Sequence, residues 1–262
     1  MPLSDEAISN VADALFRAEA GRSPIAPLTG RIDGLSLPDA YRIQLYNADR
    51  ALQSGRVATG KKIGLTSKAM QQLIGVDQPD FGFLFADMEA AGGNVLADRL
   101  IQPKAEGEIA FILGDDLTMH GQVGINDVLA ATAWIVPAIE IVDSRIKDWK
   151  IGILDTVADN GSSAMYVLGR TRVGPRDIDL VAETMELYVN GEKRNGGSGA
   201  DVLGHPAACV AWLANALLVY GSYLRAGDVV LSGAISAAQR VGHGDVARAV
   251  FGTLGDVEAR FV

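Results

Sequence analysis

From residue 57 to the end of the chain, apolar residues arrive in short runs cut by glycine. "RVATGKKIGLTS", "DQPDFGFL", "EGEIAFIL", "WIVPAIEIVDSRI" and "AMYVLG" each have the length and bounding turn residues of a strand. "MELYVNGEKRN" adds a hairpin, with Asn190-Gly191 at its turn. "AGDVVLSGAISAAQRVGHGDVARAVFGTLGDVEARFV" closes the chain in the same strand-rich texture. A single long apolar helical run, "PAACVAWLANALLVYGSYL", sits among them and opens on Pro206. Strands in series with one helix between them exclude a regular βαβ alternation. They predict an α+β fold or a mixed β-sheet roll.

Helices come first. Residues 4–20 place Ile8, Val11, Leu15 and Ala18 at helical spacing behind Ser4 as N-cap, with Gly21 as the stop. A second helix starts near Ser36, carries Pro38 in its first turn and runs to Gly55; a short third one is expected over "SKAMQQLIGV". The chain thus divides into a helical N-terminal part, 1–56, and a mixed β-roll part, 57–262, which carries the chemistry. "NGGSGADVLG" lacks the glycine spacing of a dinucleotide fingerprint.

The formal net charge of -9 excludes nucleic acid and anionic membrane as main partners, since both need a basic face. An acidic chain that binds an acidic substrate needs a local cation. The lone Cys209 allows no intrachain disulfide and reads as a buried core thiol. "MPLSDEAISN" is not a signal peptide, and no uninterrupted apolar stretch reaches the length of a bilayer span, so a cytoplasmic protein is expected.

Glu106 and Glu108 flank a glycine at the mouth of an apolar run. Residues two apart on a strand share a face, so Ile109, Phe111 and Leu113 line the opposite one. Glu140 stands inside a second apolar run, where a carboxylate needs a partner. Two carboxylates about 4 Å apart repel by about 4 kcal/mol at an effective dielectric of ~20. Two readings stand. In one, the three carboxylates converge on a hard divalent cation, Mg²⁺ or Mn²⁺, there being no histidine cluster for Zn²⁺. In the other, Glu106 and Glu108 lie on a solvated face, paired with Lys104, and Glu140 meets an arginine. His120, His205 and His243 lie in separate loops.

"GKKIGLTSKAMQQLIGVDQPDFGFL", "IQPKAEGEIAFIL" and "EIVDSRIKDWKIGILDTVADNGSS" closely resemble the 2-keto-4-pentenoate (2-hydroxypenta-2,4-dienoate) hydratases of bacterial meta-cleavage pathways, within the fumarylacetoacetate hydrolase-like superfamily. The resemblance runs from about Ile25 to the C-terminus. It implies a β-roll of that superfamily's type, a divalent metal held at Glu106, Glu108 and Glu140, and homo-oligomers, typically decamers. It implies a short 2-hydroxy-2,4-dienoate (2-oxo acid) substrate, hydrated to 4-hydroxy-2-oxopentanoate.

The same resemblance assigns Lys62 as a proton shuttle that sheds its proton near the cation, and Asp80 as the base for water. Ser162 and Ser232 become substrate contacts, with Asp143 and Arg145 as a supporting polar network. Trp134, Trp149 and Trp212 are read as core or interface residues. Related 4-oxalocrotonate decarboxylases share "GLTS" and "ADN" but carry an apolar residue in place of Asp80. Such a decarboxylase is the nearest alternative, followed by a hydratase of a longer dienedioate and a non-catalytic partner subunit. A pathway decarboxylase or aldolase is the expected macromolecular partner.

Overall fold

The structure, a computed structural model, describes residues 2–68, 71–72, 75–118 and 121–262. Two helices open the chain. α1 (Asp5–Ala20) is capped by the Ser4 hydroxyl, which accepts from Ala7 N–H. α2 (Leu37–Gln53) has Ser36 and Asp39 in a reciprocal capping box, with Pro38 in the first turn. Both were legible in the periodicity. Gly21 caps α1 without using glycine's special freedom, at φ -88°.

The larger sheet is ordered β2 (Asp80–Phe85), β1 (Ala58–Gly64), β9 (Val229–Ala234), β4 (Lys104–Leu113), β5 (Thr132–Val142), β6 (Ser163–Leu168), and β10 (Gln239–Arg240) also pairs with β4. β1 and β9 run parallel and the other pairs antiparallel. The smaller sheet is ordered β3 (Asn94–Val95), β12 (Asp256–Phe261), β11 (Val246–Phe251), β7 (Thr184–Val189), β8 (Glu192–Ser198). The expected hairpin is β7–β8, with Asn190 and Gly191 both at positive φ as its turn requires. These mixed sheets with helices bear out the α+β expectation.

The large sheet buries both faces. Ile63, Ile109, Phe111, Ile139 and Val230 join a cluster that also takes in Ile8, Leu15 and Ile43 from the N-terminal helices. Ala110, Ala138, Tyr166 and Leu231 fill the other face, beneath Ala48 and Ala51 of α2. Gln44 ties α2 to the sheet by donating to the carbonyls of Phe81 and Val157.

Some elements differ from expectation. Two short helices, α3 (Ile125–Ala131) and α4 (Ile153–Ala158), were not foreseen. Each is held by an aspartate at its third position, Asp127 or Asp155, whose carboxylate accepts a backbone N–H before the helix. The apolar helix α5 is Pro206–Leu218 and stops short of the run's end. Gly199–Leu218 has the length and mean hydropathy of a membrane span, but Asp201 and His205 interrupt it. Its helical part has 13 residues, about 20 Å long, and half of its apolar window is buried inside the protein. Of the short helix expected over 67–76, Lys68, Gln71 and Gln72 are helical, while Ala69, Met70, Leu73 and Ile74, like His120, lie outside the described residues.

Candidate metal and proton-transfer centre

The antiparallel register of β4 and β5 sets Glu106 directly across from Glu140. Glu108 follows two residues along the same face. One carboxylate oxygen from each of the three lies within 4.8 Å of the others. Glu108 and Glu140 are buried, while Glu106 keeps partial exposure and forms the open side. Gly233 N–H donates to Glu108 Oε2 at 2.8 Å, from a bulge where Gly233 adopts φ 111°. A Cβ at Gly233 would also strike Thr66, so the position needs glycine. Among the described residues, Glu108 Oε1 and both Glu140 oxygens have no hydrogen-bond partner.

Lys62 reaches this cluster from β1. Its Nζ lies 3.3 Å from Glu140 Oε2 and donates to the Gly161 carbonyl at 2.9 Å. Gly161 sits in a run of left-handed residues, Asn160, Gly161 and Ser162, with φ between 53° and 62°. Asn160 clamps that run onto β2: its Oδ1 accepts from Phe83 N–H at 2.7 Å and its Nδ2 donates to Phe83 O at 3.0 Å. Gly82 makes room, because a Cβ there would meet Asn160 O at 2.3 Å. Asp80, at the start of β2, is buried, and neither of its oxygens has a hydrogen-bond partner among the described residues. Lys61 points elsewhere, over the Phe83 ring.

Burial pushes all four carboxylates upward, Glu106 to about 7 and Glu108 well above the usual range. For Glu106 and Glu108 the charge of Glu140 adds to the effect. Glu140 is raised by burial although Lys62 opposes it. Burial also works against the Lys62 ammonium, but Glu140, Asp80, Glu106 and Glu108 outweigh it and hold the pKa above its ordinary value. These directions fit together: one ammonium shared among four carboxylates is firmly charged, yet cannot neutralise them all. The expectation that Lys62 sheds its proton is therefore not met by the protein groups alone. Ser163 lies near enough to Glu140 to favour its charged form, though outside hydrogen-bonding geometry.

The carboxylates fit a divalent ion. Oxygen–metal distances of about 2.0–2.6 Å allow oxygens up to about 5 Å apart around one ion. The donor set is all oxygen, which selects a hard cation. The solvated-face reading fails on two counts: Glu140 meets Lys62 rather than an arginine, and Glu108 is buried.

Residues 68–262 match the family model described as fumarylacetoacetate (FAA) hydrolase C-terminal. The chain belongs to the fumarylacetoacetate hydrolase family. Within 216 aligned residues it is 50% identical to a 2-hydroxypent-2,4-dienoate hydratase of Pseudomonas putida, covering 82% of this chain and 97% of that one. It is 46% identical to a 2-keto-4-pentenoate hydratase of Burkholderia vietnamiensis (strain G4 / LMG 22486) over 98% of each chain. The solved 4-oxalocrotonate decarboxylase from Pseudomonas putida G7, complexed with magnesium and adipate, superimposes with a TM-score of 0.95 at 34% identity over 99% of each chain.

Around this family's fold the remaining expected residues fall in different places. Ser162 is buried behind Lys62, with its hydroxyl 3.4 Å from Asp159 Oδ2 and its carbonyl accepting from Asp143 N–H. Ser232 is buried with an unpaired hydroxyl. The network around Arg145 centres on Asp159, through Nε at 2.5 Å, and not on the Asp143 carboxylate, which accepts from the amides of Ile101 and Gln102. Cys209 is buried, as read. Trp134 is exposed, while Trp149 and Trp212 are partly buried. His205 caps α5, its Nδ1 accepting from Ala207 N–H. Sequence reasoning passed over Asn160, Gly161, Ser163 and Gly233. The "ADNGSS" and "LSGA" segments were noticed, but nothing in their spacing says that a backbone carbonyl meets Lys62 or a backbone amide meets Glu108.

Proposed function

We propose that the chain is a divalent-metal-dependent hydratase. It adds water to 2-hydroxypenta-2,4-dienoate, giving 4-hydroxy-2-oxopentanoate, in the meta-cleavage degradation of aromatic compounds. The observation that carries this reading is the single buried face on which Glu106, Glu108 and Glu140 converge beside Lys62 and Asp80. The names of relatives 44–50% identical over most of the chain support it.

Glu106, Glu108 and Glu140 would hold the ion, Mg²⁺ or Mn²⁺. The chemistry such an ion supplies is Lewis-acid stabilisation of negative charge at the substrate's C2 oxygen. The chain's residues handle the protons. The dienol loses its O–H proton and gains one at C5, giving an α,β-unsaturated 2-oxo acid. Water oxygen then bonds to C4, and the proton balance closes at C3.

Lys62 is the group placed to deliver and recover a proton, held on the Gly161 carbonyl. Asp80, with two unpaired oxygens and a pKa raised by burial, is suited to accept a proton from water. Ser162 and Ser232 are proposed substrate contacts. Homo-oligomerisation, association with a pathway decarboxylase or aldolase, and a cytoplasmic location belong to the same proposal.

The test is to incubate the Mg²⁺-loaded protein with 2-hydroxypenta-2,4-dienoate and separately with 4-oxalocrotonate. Loss of the dienol with appearance of 4-hydroxy-2-oxopentanoate by NMR supports the hydratase. Release of CO2 from the second substrate, without hydration of the first, would assign a decarboxylase instead. That alternative draws on the superposition with the solved decarboxylase.

A further inference from the structure

Two cations, Lys104 and Arg240, stand near the partly exposed Glu106, whose charge acts on Lys104 without forming a salt bridge. Lys104 opens β4 and lies on the strand face of Glu106 and Glu108. Arg240, on β10, stands directly opposite Lys104 in antiparallel register. Directly opposed side chains have Cβ atoms about 4.5–5.5 Å apart, and like charges in that position are destabilising. A counter-ion would relieve this, yet among the described residues neither cation is in a salt bridge. Lys104 Nζ instead lies 3.9 Å from the centroid of the Trp149 ring, and Arg240 is exposed.

Trp149 is itself held at a cost. It and Asp148 both adopt left-handed backbone, at φ 56° and 60°. For a bulky side chain this conformation costs about 1–2 kcal/mol. The indole N–H donates to Gln102 O at 2.9 Å and fixes the ring beneath the ammonium. Gln102, Trp149, Arg240 and His243 line a groove of about 570 Å³, together with the carboxylates of Asp98 and Asp148. Arg240 and the strained aromatic shelf thus join this groove to Lys104, two residues along β4 from the partly exposed Glu106.

We propose that Lys104 and Arg240, with Trp149 as their shelf, form an anion subsite at the entrance of the centre that captures a carboxylate of the substrate. This rests on the 2-oxo acid chemistry proposed above. The charge balance gives the reason for it. Four carboxylates face Lys62, and a divalent ion with Lys62 neutralises three of them. An incoming anion therefore meets a site still negative, in a chain of net charge -9. Two cations at the entrance offset that negative field where an anion arrives, which raises the rate and affinity of anion capture.

The captured group is either the carboxylate beside the oxo group or a second, distal carboxylate. Titration calorimetry with 2-oxopentanoate and 2-oxohexanedioate separates them, using Mg²⁺-loaded wild type, Lys104→Met, Arg240→Met, the double variant and Lys104→Arg, at low and high salt. The double variant is expected to bind 2-oxohexanedioate about tenfold more weakly at low salt, with a flatter salt dependence, and Lys104→Arg to retain binding. A wild-type preference for the dioate that disappears in the double variant assigns the distal carboxylate; equal losses for both probes assign the proximal one.

Mg²⁺ affinity, titrated separately, is expected to hold or tighten, since removing cations beside an anionic site favours a cation. Damage to the fold would weaken it. The exposed Arg240→Met alone carries the test if Lys104→Met does not fold. Unchanged affinity and salt dependence for both probes in the variants overturns the subsite alone. If Mg²⁺-loaded wild type binds neither probe, the 2-oxo acid reading falls and the subsite with it.

Discussion

Glu106 and Glu140 occupy opposed positions on neighbouring antiparallel strands, β4 and β5, inside a sheet that packs apolar residues on both faces. Register alone makes them neighbours, and Glu108 joins them because it lies two residues from Glu106. Without a cation this arrangement is electrostatically unfavourable, which gives each member of the site a distinct, measurable signature.

Glu108→Gln preserves shape and the acceptor for Gly233 N–H while removing one buried charge. In metal-free protein it is expected to raise Tm, at about 2–4 °C for each kcal/mol of relieved repulsion. The increase in Tm that Mg²⁺ gives the wild type should be lost, together with turnover. Thermal scans in EDTA and in Mg²⁺ read both effects. A variant that still turns over would remove Glu108 from the ligand set.

The pH dependence follows from the raised carboxylates. With Glu106 pushed up to about 7 from 4.5, and Glu108 and Glu140 also raised, the native metal-free protein binds more protons than the unfolded chain across that window. Its stability therefore falls as pH rises from about 4.5 through 7. Mg²⁺ requires the ionised forms, so its affinity rises over the same window and its binding releases protons. Calorimetry at pH 6.5 in buffers of different ionisation enthalpy counts them. A metal-free Tm that climbed between pH 5 and 7.5 would contradict the assignment.

Lys62→Met and Asp80→Asn separate proton handling from ion binding. Each is expected to lower kcat by about 10²–10⁴-fold. Asp80→Asn should leave Mg²⁺ binding nearly intact and should stabilise the protein, because Asp80 is a buried carboxylate with unpaired oxygens. Lys62→Met should destabilise metal-free protein by leaving Glu140 without its cation. Full activity in Asp80→Asn would move the water-activating role elsewhere.

Asn160→Ala removes both bonds that hold the left-handed run on β2. About 1–3 kcal/mol of stability should go with them. Since the Gly161 carbonyl then loses its fixed place at Lys62, kcat should fall about tenfold with little change in Mg²⁺ affinity. Asn160→Asp, which keeps the acceptor for Phe83 N–H, should recover part of the loss. Unchanged kcat in Asn160→Ala would make the clamp merely structural.

Much of this was readable before the structure. Apolar runs of strand length, the Asn190-Gly191 turn and the capped helices at Ser4 and Ser36 depend on local chemistry, and local chemistry is what a sequence displays. Glu106 and Glu108 were legible as a same-face pair by strand period. Their meeting with Glu140 depends on β4–β5 register across more than thirty residues, which no local pattern states. The short helices α3 and α4 hid for a different reason. Six or seven residues are too few to show a 3.6 period, and their stability comes from aspartate caps and packing. The Arg145–Asp159 pair and the Gly161–Lys62 contact are products of the tertiary fold. So is the facing of Lys104 by Arg240, which lies far along the chain on a two-residue strand.

The most direct test of the carboxylate centre is anomalous scattering from crystals grown with Mn²⁺. The expected result is one strong peak within about 2.0–2.4 Å of oxygens from Glu106, Glu108 and Glu140, absent in Glu108→Gln. A map with no peak among those oxygens, from crystals whose dissolved protein is active with Mn²⁺, would contradict it.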